Sequence, residues 1–370
     1  MTVTAGVAAW SIATPLGNDE DALAALFAGQ CGISRLESPF PLRNDRAGII
    51  SSVARNDATL SEWQRQLGKL VGQRAISRAG IDPCDPKTGY VFATSYGHLL
   101  DEPGHDTMSS WAEDCVKMLG GLVAPVVVGT ACSAGSDALG IASALLAGGQ
   151  YDAVVVVAVD IVTIAKRLAH SGLGTMTDTT PKPFDIERNG MIVGDAAAAV
   201  VLRPLSLCKN SCGVLLGYGA SNDAAGLTAP DQSGESVELA IRRALMAAST
   251  EINDVSVYLA HGTSTHLNDL VESKVIGKIF PKHSNIKLYG TKGALGHSLG
   301  ACGLLEFIIL VDVLRRRSVP PSVGLTVPIE EVSEYLPLVA SAPTSSSIGL
   351  SVTLGFGGFN TALLGKWEER

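Results

Sequence analysis

The sequence predicts an α/β fold with two related halves, and two observations lead to this prediction. Short apolar segments with helical patterns between them are typical of alternating strands and helices, and they lie at 90–93, 154–159, 198–202 and 255–260. There is also an internal repeat: YVFATSYGHLLDE (90–102) resembles VYLAHGTSTHLND (257–269), and VVVGTACSAG (126–135) resembles KLYGTKGALG (287–296). Both pairs are offset by roughly 160 residues, which indicates a duplicated unit. We therefore expect two units, 1–208 and 209–370, that pack as one body.

The first half places Cys132 where a predicted strand runs into a predicted helix. The segment 126–128 is short, β-branched and uncharged, as buried strands are, and the Ala/Leu/Gly-rich run after it keeps an apolar helical period. At a helix N-terminus, unpaired N–H groups and the helix dipole favour a thiolate over a thiol. The alternative is a buried structural cysteine, because free cysteine packs like a small hydrophobic residue.

Three later stretches bring further polar residues to such junctions. His261 follows a predicted strand in AHGTSTHLND (260–269), and Lys292 and His297 flank two glycines in GTKGALGHSLGACGLLE (290–306). The stretch GLSVTLGFGGFNTALL (349–364) has the pattern of a strand, a glycine-rich turn and a second strand. A lone histidine after a strand is often a hydrogen-bonded core residue. One cysteine with two histidines, however, is the set needed for acyl transfer through a thioester.

Composition narrows the function class and the compartment. A net charge of -8 without a long basic run argues against nucleic acid as the main partner. Seven cysteines without regular spacing indicate a reducing compartment. The N-terminus lacks the pattern of a signal peptide, and no apolar stretch approaches the roughly 18–20 residues that span a bilayer. We expect a soluble, cytoplasmic protein.

Two kinds of bound cofactor fit the sequence poorly. GFGGFN (355–360) has Asn360 where a dinucleotide motif needs its third glycine, and no helix with an acidic residue follows it. A metal site from Cys132, His261, His266 and His297 is possible, but the spacing of His261 and His266 does not put them on one helical face. We expect no bound cofactor and no metal.

Five ordered motifs make the chain resemble the β-ketoacyl-acyl carrier protein synthases of the type I/II kind, over nearly its whole length. They are TACSAG around Cys132, PFDIERNGMIVGDAAA (183–198), HGTST (261–265), KGALGHSLGACGLLE (292–306) and GFGGFN (355–360). The resemblance implies a thiolase-like fold, with two pseudo-symmetric βαβαβαββ halves that form a five-layered αβαβα body. The internal repeat fits this architecture.

The resemblance also implies the catalytic residues. Cys132 resembles the nucleophile that accepts the acyl chain, His261 and His297 match the two active-site histidines, and Lys292 and Glu306 match their supporting charged pair. The implied reaction is a decarboxylative condensation of the acyl-cysteine with a malonyl-type thioester. On this reading the two imidazoles stabilise the enolate, so a His297→Ala variant is expected to accept an acyl group but not to condense it.

The substrate is implied to arrive on the phosphopantetheine of an acyl carrier protein. Thr263 and Thr265 match the threonines that hold this arm, and Leu354, Phe356 and Phe359 are the other expected substrate-binding residues. The backbone N–H groups of Cys132 and Leu354 would form the oxyanion hole. A homodimer, or a heterodimer with a related ketosynthase subunit, is the implied assembly.

The chain departs from the family pattern near the site. Leu354 stands where phenylalanine is usual, His266 where proline is usual, Asn268 where glycine is usual and Phe359 where threonine is usual. The segment between residues 90 and 132 is also shorter than in most members. The acyl chain and the choice between fatty acid and polyketide pathways stay open.

Three related readings compete with a type I/II synthase. A thiolase would need a second cysteine near GFGGFN, which has none, and a type III synthase would need asparagine where His297 stands. A chain-length-factor-like partner subunit would lack condensing activity of its own. Such subunits usually lose the nucleophile, which this chain keeps. The departures at Leu354 and His266 leave this last alternative open.

Carrier docking needs a local basic patch, because carrier proteins are typically acidic and this chain is itself net negative. The segment 61–80 carries four basic residues and one acid, and Lys166 and Arg167 form a second small cluster. We expect Arg65 and Lys69, with Lys166 or Arg167, to form the docking site. The alternative is that these charges only solvate helix faces.

Overall fold

The computed structural model describes residues 4–102, 104, 106–281, 284–339 and 347–368. The strands in this part of the chain are β1 (Ala5–Thr14), β2 (Gly17–Asn18), β3 (Ile33–Arg35), β4 (Arg46–Gly48), β5 (Thr88–Ala93), β6 (Val126–Val128), β7 (Ala153–Asp160), β8 (Ala196–Arg203), β9 (Gly213–Asn222), β10 (Val255–Leu259), β11 (Lys287–Tyr289), β12 (Ile348–Gly355) and β13 (Phe359–Lys366). The α-helices are α1 (Asp19–Phe27), α2 (Leu60–Ala79), α3 (Met108–Leu119), α4 (Ala134–Ala147), α5 (Ile164–Gly172), α6 (Glu235–Ala248), α7 (His266–Ile279), α8 (Lys292–Leu295) and α9 (Cys302–Arg316).

The strand order shows the duplication directly. The main sheet runs β11-β10-β12-β13-β9-β1-β8-β7-β5-β6, with β2 paired to β1, while β3 and β4 form a separate pair. Outward from the centre, the first half reads β1-β8-β7-β5-β6 and the second β9-β13-β12-β10-β11, so equivalent strands occupy equivalent places. In each half the two outer pairings are parallel and the two inner ones antiparallel. The predicted repeat is confirmed.

Helices and half-sheets stack in five layers. Helices α4 and α9 pack against each other in the centre, between strands of both halves. Helices α2 and α3 cover the outer face of the first half-sheet, and α6 and α7 cover that of the second. This arrangement confirms the expected thiolase-like αβαβα fold. Among the described residues, no helix combines the length and the apolar character that a membrane span needs.

The central layers explain the low charge of the sequence. Strands β7 (AVVVVAVD) and β8 (AAAAVVLR) are buried along nearly their whole length, because helices cover both faces of the sheet. Helix α9 is buried from Cys302 to Leu314, and this stretch is mostly apolar on all sides, with Glu306 and Asp312 as its two acidic residues, each in an ion pair. Only its last turn, with Arg315 and Arg316, reaches solvent.

The two central helices touch through glycines near their N-termini. A methyl group on Gly303 of α9 would lie 2.7 Å from the backbone nitrogen of Ser136 in α4, and one on Gly135 would lie 2.7 Å from the nitrogen of Leu304. Each helix is preceded by a short turn that begins with a left-handed residue, Ala131 (φ 49°) before α4 and Leu299 (φ 46°) before α9. The turns are therefore equivalent, and they place the two helix N-termini side by side.

We predict that Gly303→Ala lowers the free energy of unfolding by about 2 kcal/mol, because the added methyl group forces the backbones of α4 and α9 apart. Denaturant unfolding followed by circular dichroism measures this change. The matched control is Gly277→Ala in α7, where a methyl group meets nothing within 4 Å. That variant should gain about 0.5–1 kcal/mol from its higher helix propensity. Equal stability of the two variants would contradict the close contact.

Candidate active site

Cys132 lies in the turn between β6 and α4, where a buried carboxylate fixes its surroundings. Asp137, in the first turn of α4, accepts hydrogen bonds from the hydroxyl groups of Thr130 and Ser133, which flank the Ala131–Cys132 pair. The second carboxylate oxygen accepts a 2.6 Å hydrogen bond from Tyr218 of β9. The thiol-bearing turn is thus held from both its own helix and the opposite half-sheet.

His261 follows β10, as predicted, and Glu272 of α7 fixes the loop that carries it. The Glu272 carboxylate accepts the backbone N–H of His261 at 2.9 Å and that of Gly262 at 2.7 Å. Asn268 donates its amide hydrogens to Glu272 and to Asp269, both at 3.0 Å. These partners are buried, so the loop has one well-defined position.

His297 is positioned by the segment 191–195, which belongs to the second motif of the sequence. The His297 N–H donates to the carbonyl of Ile192 at 2.7 Å, and the Gly194 N–H donates to the carbonyl of His297 at 2.9 Å. Together these bonds make a short parallel bridge between Val193 and His297. The motif 183–198 therefore acts here as a support for the second histidine.

The fold brings the predicted catalytic side chains together. Nε2 of His297 lies 3.2 Å from Sγ of Cys132. The rings of His261 and His297 have centroids 5.1 Å apart and stand nearly perpendicular. Behind them, Nζ of Lys292 contacts Oε1 of Glu306 at 2.7 Å, and each of these side chains is only 1% exposed.

The same closeness raises the question of a metal site. Ligand atoms of Cys132, His261 and His297 all lie within 4.8 Å of one another, as do those of His261, Cys302 and Glu306. The charge of Lys292, however, acts on Cys132 and on both histidines. Because the Lys292 cation is close enough to act on all three side chains, it opposes the binding of a metal cation between them. His266, which is exposed, belongs to neither group within the described residues.

Burial sets the protonation states of the three reacting groups. It raises the pKa of Cys132 to about 11, although the N–H of Phe356 and the charge of Lys292 lower it. The expectation of a resting thiolate is therefore wrong, because desolvation outweighs the helix N-terminus. Burial, assisted by Lys292, lowers the pKa of both His261 and His297 well below the usual range. All three groups are neutral at pH 7.

The charged pair behind the site keeps its positive charge. Burial lowers the pKa of Lys292, but the neighbouring Glu306 carboxylate reverses this effect and raises it overall. Thr291 also donates a hydrogen bond to Oε1 of Glu306, at 2.7 Å. Lys292 is therefore a fixed cation next to two neutral imidazoles.

Two cavities meet at Cys132. The first has a rim of exposed residues of the loop after β9 and is lined by Cys132, Thr175, Met191, Thr228, Ala229, Pro230, His261, Thr263, Thr265, Leu267, Asn268, His297, Leu354, Gly355 and Phe356. The second is lined by Ser95, Tyr96, Leu100, Gly129, Ala131, Cys132, Lys166, Ala169, His170, Leu173, Leu299 and Phe356. The Phe356 side chain is the only phenylalanine among these lining residues, and it borders both cavities.

The predicted substrate-binding residues differ in whether they line one of these cavities. Thr263 and Thr265 line the first cavity and their hydroxyl oxygens are 2.9 Å apart. Leu354 lines the first cavity, and Phe356 lines both. Phe359 lines neither of these cavities and is 39% exposed, so they do not support its assignment to substrate binding, which stays a prediction. The left-handed residues 357 and 358 turn the chain back before Phe359, which points its side chain outwards.

A second backbone amide comes near the thiol, while the expected oxyanion-hole donors, the N–H groups of Cys132 and Leu354, stay a prediction. The backbone N–H of Phe356 acts on the Cys132 thiol and lowers its pKa against the larger effect of burial, so Phe356 is a further candidate for the second oxyanion-hole donor beside Leu354. Phe356 lies at the turn after β12, directly against the thiol.

The predicted docking cluster is not a surface patch. Lys166 and Arg167 are 3% and 0% exposed: Lys166 pairs with Asp160, and Arg167 donates to backbone carbonyls at 36 and 37. Their assignment to carrier docking is wrong, because no partner can reach them. Arg65 is neutralised by Asp106 at 3.1 Å and Asp114 at 3.2 Å. Of the four residues, Lys69 alone is half-exposed without an ion pair within the described chain.

Sequence reasoning missed several residues that shape the site. Tyr218 and Asp137 come from different halves, so only the fold reveals their contact. Glu272 is spaced eleven residues from the backbone N–H that it accepts, and His170 lies on a short helix with no motif of its own. The acidic pair at 269 and 272, next to HGTST, was the one available signal.

Comparisons with known proteins agree with this geometry. The family model described as "Beta-ketoacyl synthase, N-terminal domain" matches residues 6–208, and the model described as "Beta-ketoacyl synthase, C-terminal domain" matches residues 212–326. The chain is 28% identical to 3-oxoacyl-[acyl-carrier-protein] synthase 2 of Vibrio cholerae, over 95% of this chain and 96% of that one.

Two further comparisons cover a relative and a solved structure. A 3-oxoacyl-[acyl-carrier-protein] synthase 2 of Rhizobium meliloti is 33% identical, over 64% of this chain and 59% of that one. The structure of the ishigamide ketosynthase/chain length factor superposes with a TM-score of 0.90 at 21% identity, covering 99% of both chains. With both family models matched along its length, the chain belongs to the β-ketoacyl synthase family.

Proposed function

We propose that this protein is an acyltransferase that condenses an acyl group on Cys132 with a malonyl-type thioester of an acyl carrier protein, giving a β-ketoacyl product. The observation that supports this best is the contact of Cys132 with Nε2 of His297 at the point where two cavities meet. One cavity can hold the carrier's pantetheine arm and the other the acyl chain. The same reading makes residues 1–208 and 209–370 the two thiolase-like units.

In the loading step, the Cys132 sulfur attacks the carbonyl of an acyl-carrier thioester. Because the thiol has a raised pKa, its proton needs an acceptor, and Nε2 of the neutral His297 is 3.2 Å away. The N–H groups of Cys132 and Phe356 are the proposed donors to the tetrahedral oxyanion. When the carbon–sulfur bond to the carrier breaks, the carrier thiolate leaves and takes the proton from His297.

In the condensation step, a malonyl-type thioester occupies the first cavity, with Thr263 and Thr265 beside its pantetheine arm. Its carboxylate leaves as carbon dioxide, and the electron pair of the broken bond moves onto the thioester oxygen as an enolate. Once the sulfur is acylated, no thiol proton is left for Nε2 of His297 to accept. The rings of His261 and His297 can then each direct an N–H towards the enolate oxygen. The enolate carbon then attacks the acyl-cysteine carbonyl, the carbon–sulfur bond to Cys132 breaks, and the cysteine thiolate takes a proton from solvent by way of Nε2 of His297, which regenerates the thiol.

The Lys292–Glu306 pair supports both steps from behind the imidazoles. Burial, with Lys292 as the next cause, lowers the pKa of His261 and of His297 and keeps both rings neutral. A neutral ring can accept the thiol proton in loading and donate an N–H in condensation, whereas an imidazolium could not accept. Glu306 in turn keeps Lys292 charged in a buried position.

The proposed partners are an acyl carrier protein and a second ketosynthase-like subunit, the same or related. The edge strand β6 and the exposed side chains of Tyr96, Leu100 and Leu173 at the second cavity support a paired assembly. All seven cysteines are free thiols, which supports a reducing, cytoplasmic location. In this scheme the phosphopantetheine of the acyl carrier protein bears the acyl substrate, and the synthase itself needs no cofactor.

A chain-length-factor-like partner subunit is the alternative function. It is favoured by Leu354, His266 and Phe359, which depart from the usual family residues, and by the similarity of the fold to the ishigamide ketosynthase/chain length factor. The complete Cys132, His261 and His297 site favours an active condensing subunit instead. Acylation of the isolated chain distinguishes the two.

We predict that acyl loading modifies Cys132 and no other cysteine. After incubation with acyl-carrier thioesters, intact-mass analysis should show one acyl group per chain, and peptide mapping should place it on Cys132. Cys302→Ala is the matched control, because its buried Sγ lies 3.3 Å from the Cys132 carbonyl oxygen yet takes no part in the scheme. An adduct on Cys302 or Cys115, or no adduct at all, would contradict the proposed function.

The two histidines should differ in the step that they affect. His297→Ala should slow loading by about 10²–10³-fold, because the thiol loses its proton acceptor. This replaces the expectation from the sequence that loading does not need His297. His261→Ala should load within about threefold of the wild-type rate but lose about 10²-fold in condensation, since one enolate donor is missing. Single-turnover loading and carbon dioxide release measure the two steps separately.

Alkylation by iodoacetamide should reveal the raised pKa of Cys132. Below a pKa of about 11 the thiolate fraction grows tenfold with each pH unit, so the rate at Cys132 should rise about tenfold per unit between pH 7 and pH 9. Peptide mapping separates this reaction from that of the exposed Cys31 and Cys84. A plateau already reached at pH 7 would instead indicate a resting thiolate.

A further inference from the structure

The second cavity has a polar side that the proposed reaction does not use. It has a volume of about 240 Å³ and is bordered mainly by apolar groups, including Leu100, Leu299 and Phe356. Helix α5, however, turns Lys166 and His170 towards it, together with Ala169 and Leu173 at helical spacing. A cavity for a plain hydrocarbon chain gains nothing from an imidazole and an ammonium group in its wall.

His170 is buried with one ring nitrogen engaged and the other not. Its Nδ1 lies 2.9 Å from the hydroxyl oxygen of Thr175, a residue of the first cavity. Within the described chain, Nε2 makes no hydrogen bond, and it is not among the fully enclosed atoms without a partner. Because His170 borders the second cavity, Nε2 is the ring atom available to a bound ligand. Burial also lowers the pKa of His170 to about 4, so the ring is neutral at pH 7.

Lys166 adds a second polar group one helical turn away. Its ammonium group bonds to Asp160 and to the carbonyl of residue 161, which uses two of its three hydrogens. The ion pair with Asp160 removes the net charge, so this side of the cavity favours a polar neutral ligand over an anion. Oxygen atoms along an acyl chain match this chemistry.

His170 also lies near the reactive end of the cavity. Its ring packs against the ring of Phe356 with centroids 5.7 Å apart, and Phe356 and Cys132 both line this cavity. A group attached a few carbons from the thioester of an acyl-cysteine therefore passes the imidazole. An imidazole left unpaired against hydrocarbon loses its hydrogen bond to water without a replacement, which disfavours that chain.

We propose that His170 is a specificity-determining residue that selects acyl chains bearing a hydroxyl or keto oxygen over saturated chains. This inference rests on the proposed function and names its substrate class. A hydroxyl can donate to or accept from Nε2, whichever tautomer Thr175 imposes, and a keto oxygen accepts from the N–H tautomer. The second cavity thus holds a partly oxygenated chain, with its apolar carbons against Leu100, Leu299 and Phe356.

The test compares acylation rates of Cys132 by three pantetheine thioesters of equal length: hexanoyl, 3-hydroxyhexanoyl and 3-oxohexanoyl. We expect the wild type to load at least one oxygenated chain about tenfold faster than hexanoyl, as a buried hydrogen bond made or lost would give. His170→Phe, of similar size but without a hydrogen-bonding atom, should reduce this preference to less than about twofold. His170→Gln, which keeps such a group, should retain it.

The outcomes separate this inference from the proposed function. If none of the three thioesters acylates Cys132, the proposed function fails. If all load and the wild type takes hexanoyl as fast as both oxygenated chains, only the role of His170 is overturned. A preference that persists in folded His170→Phe also overturns it. Should that variant fail to fold, the wild-type preference and the His170→Gln result decide the question.

Discussion

The contact between α4 and α9 is the constraint on which the site depends. Each helix begins at a turn that carries chemistry, and Gly135 and Gly303 allow the two helix backbones to approach within contact distance at that end. Close approach is what puts Cys132, from the first half, next to His297, which precedes α9 in the second. Loss of this contact would separate nucleophile and base without altering either residue.

Burial shifts the pKa of the thiol and the pKa of the imidazoles in opposite directions, and as a result all three groups are uncharged before substrate binds. Desolvation favours the neutral form of every group, so it raises the pKa of the thiol and lowers that of the imidazoles. Lys292 is the exception, because the neighbouring Glu306 carboxylate reverses the effect of burial and raises the pKa of Lys292 overall, whereas burial raises the pKa of Glu306 itself. In the proposed reaction the thiol is therefore activated by proton transfer during attack rather than by a standing thiolate. Such a site is protected from unwanted alkylation and oxidation between turnovers.

The sequence predicts what is local and repeated, and fails where the fold adds long-range contacts. Alternating apolar segments and the internal repeat predict the α/β duplication, and strand-to-loop junctions identify Cys132, His261 and His297 as candidates. The prediction of a docking cluster fails because lysine and arginine are usually surface residues. Lys166 is instead buried, since it pairs with the buried Asp160 of β7, six residues earlier in the chain. The thiolate expectation fails because a helix N-terminus is visible in a sequence and the depth of burial is not. The amide of Phe356 could not be placed without the geometry of the glycine-rich turn.

The equivalent turns before α4 and α9 carry different residues, so the two halves contribute different groups to the site. Where the first turn presents the Cys132 thiol, the second presents Gly300, whose N–H donates to Asp160. The first half thus supplies Cys132 to the site, and the second half supplies His261 and His297. In the proposed reaction neither half can act alone, because the chemistry needs residues of both. Recombination that exchanges a whole half therefore produces a working site only when the new α4 or α9 still fits its counterpart.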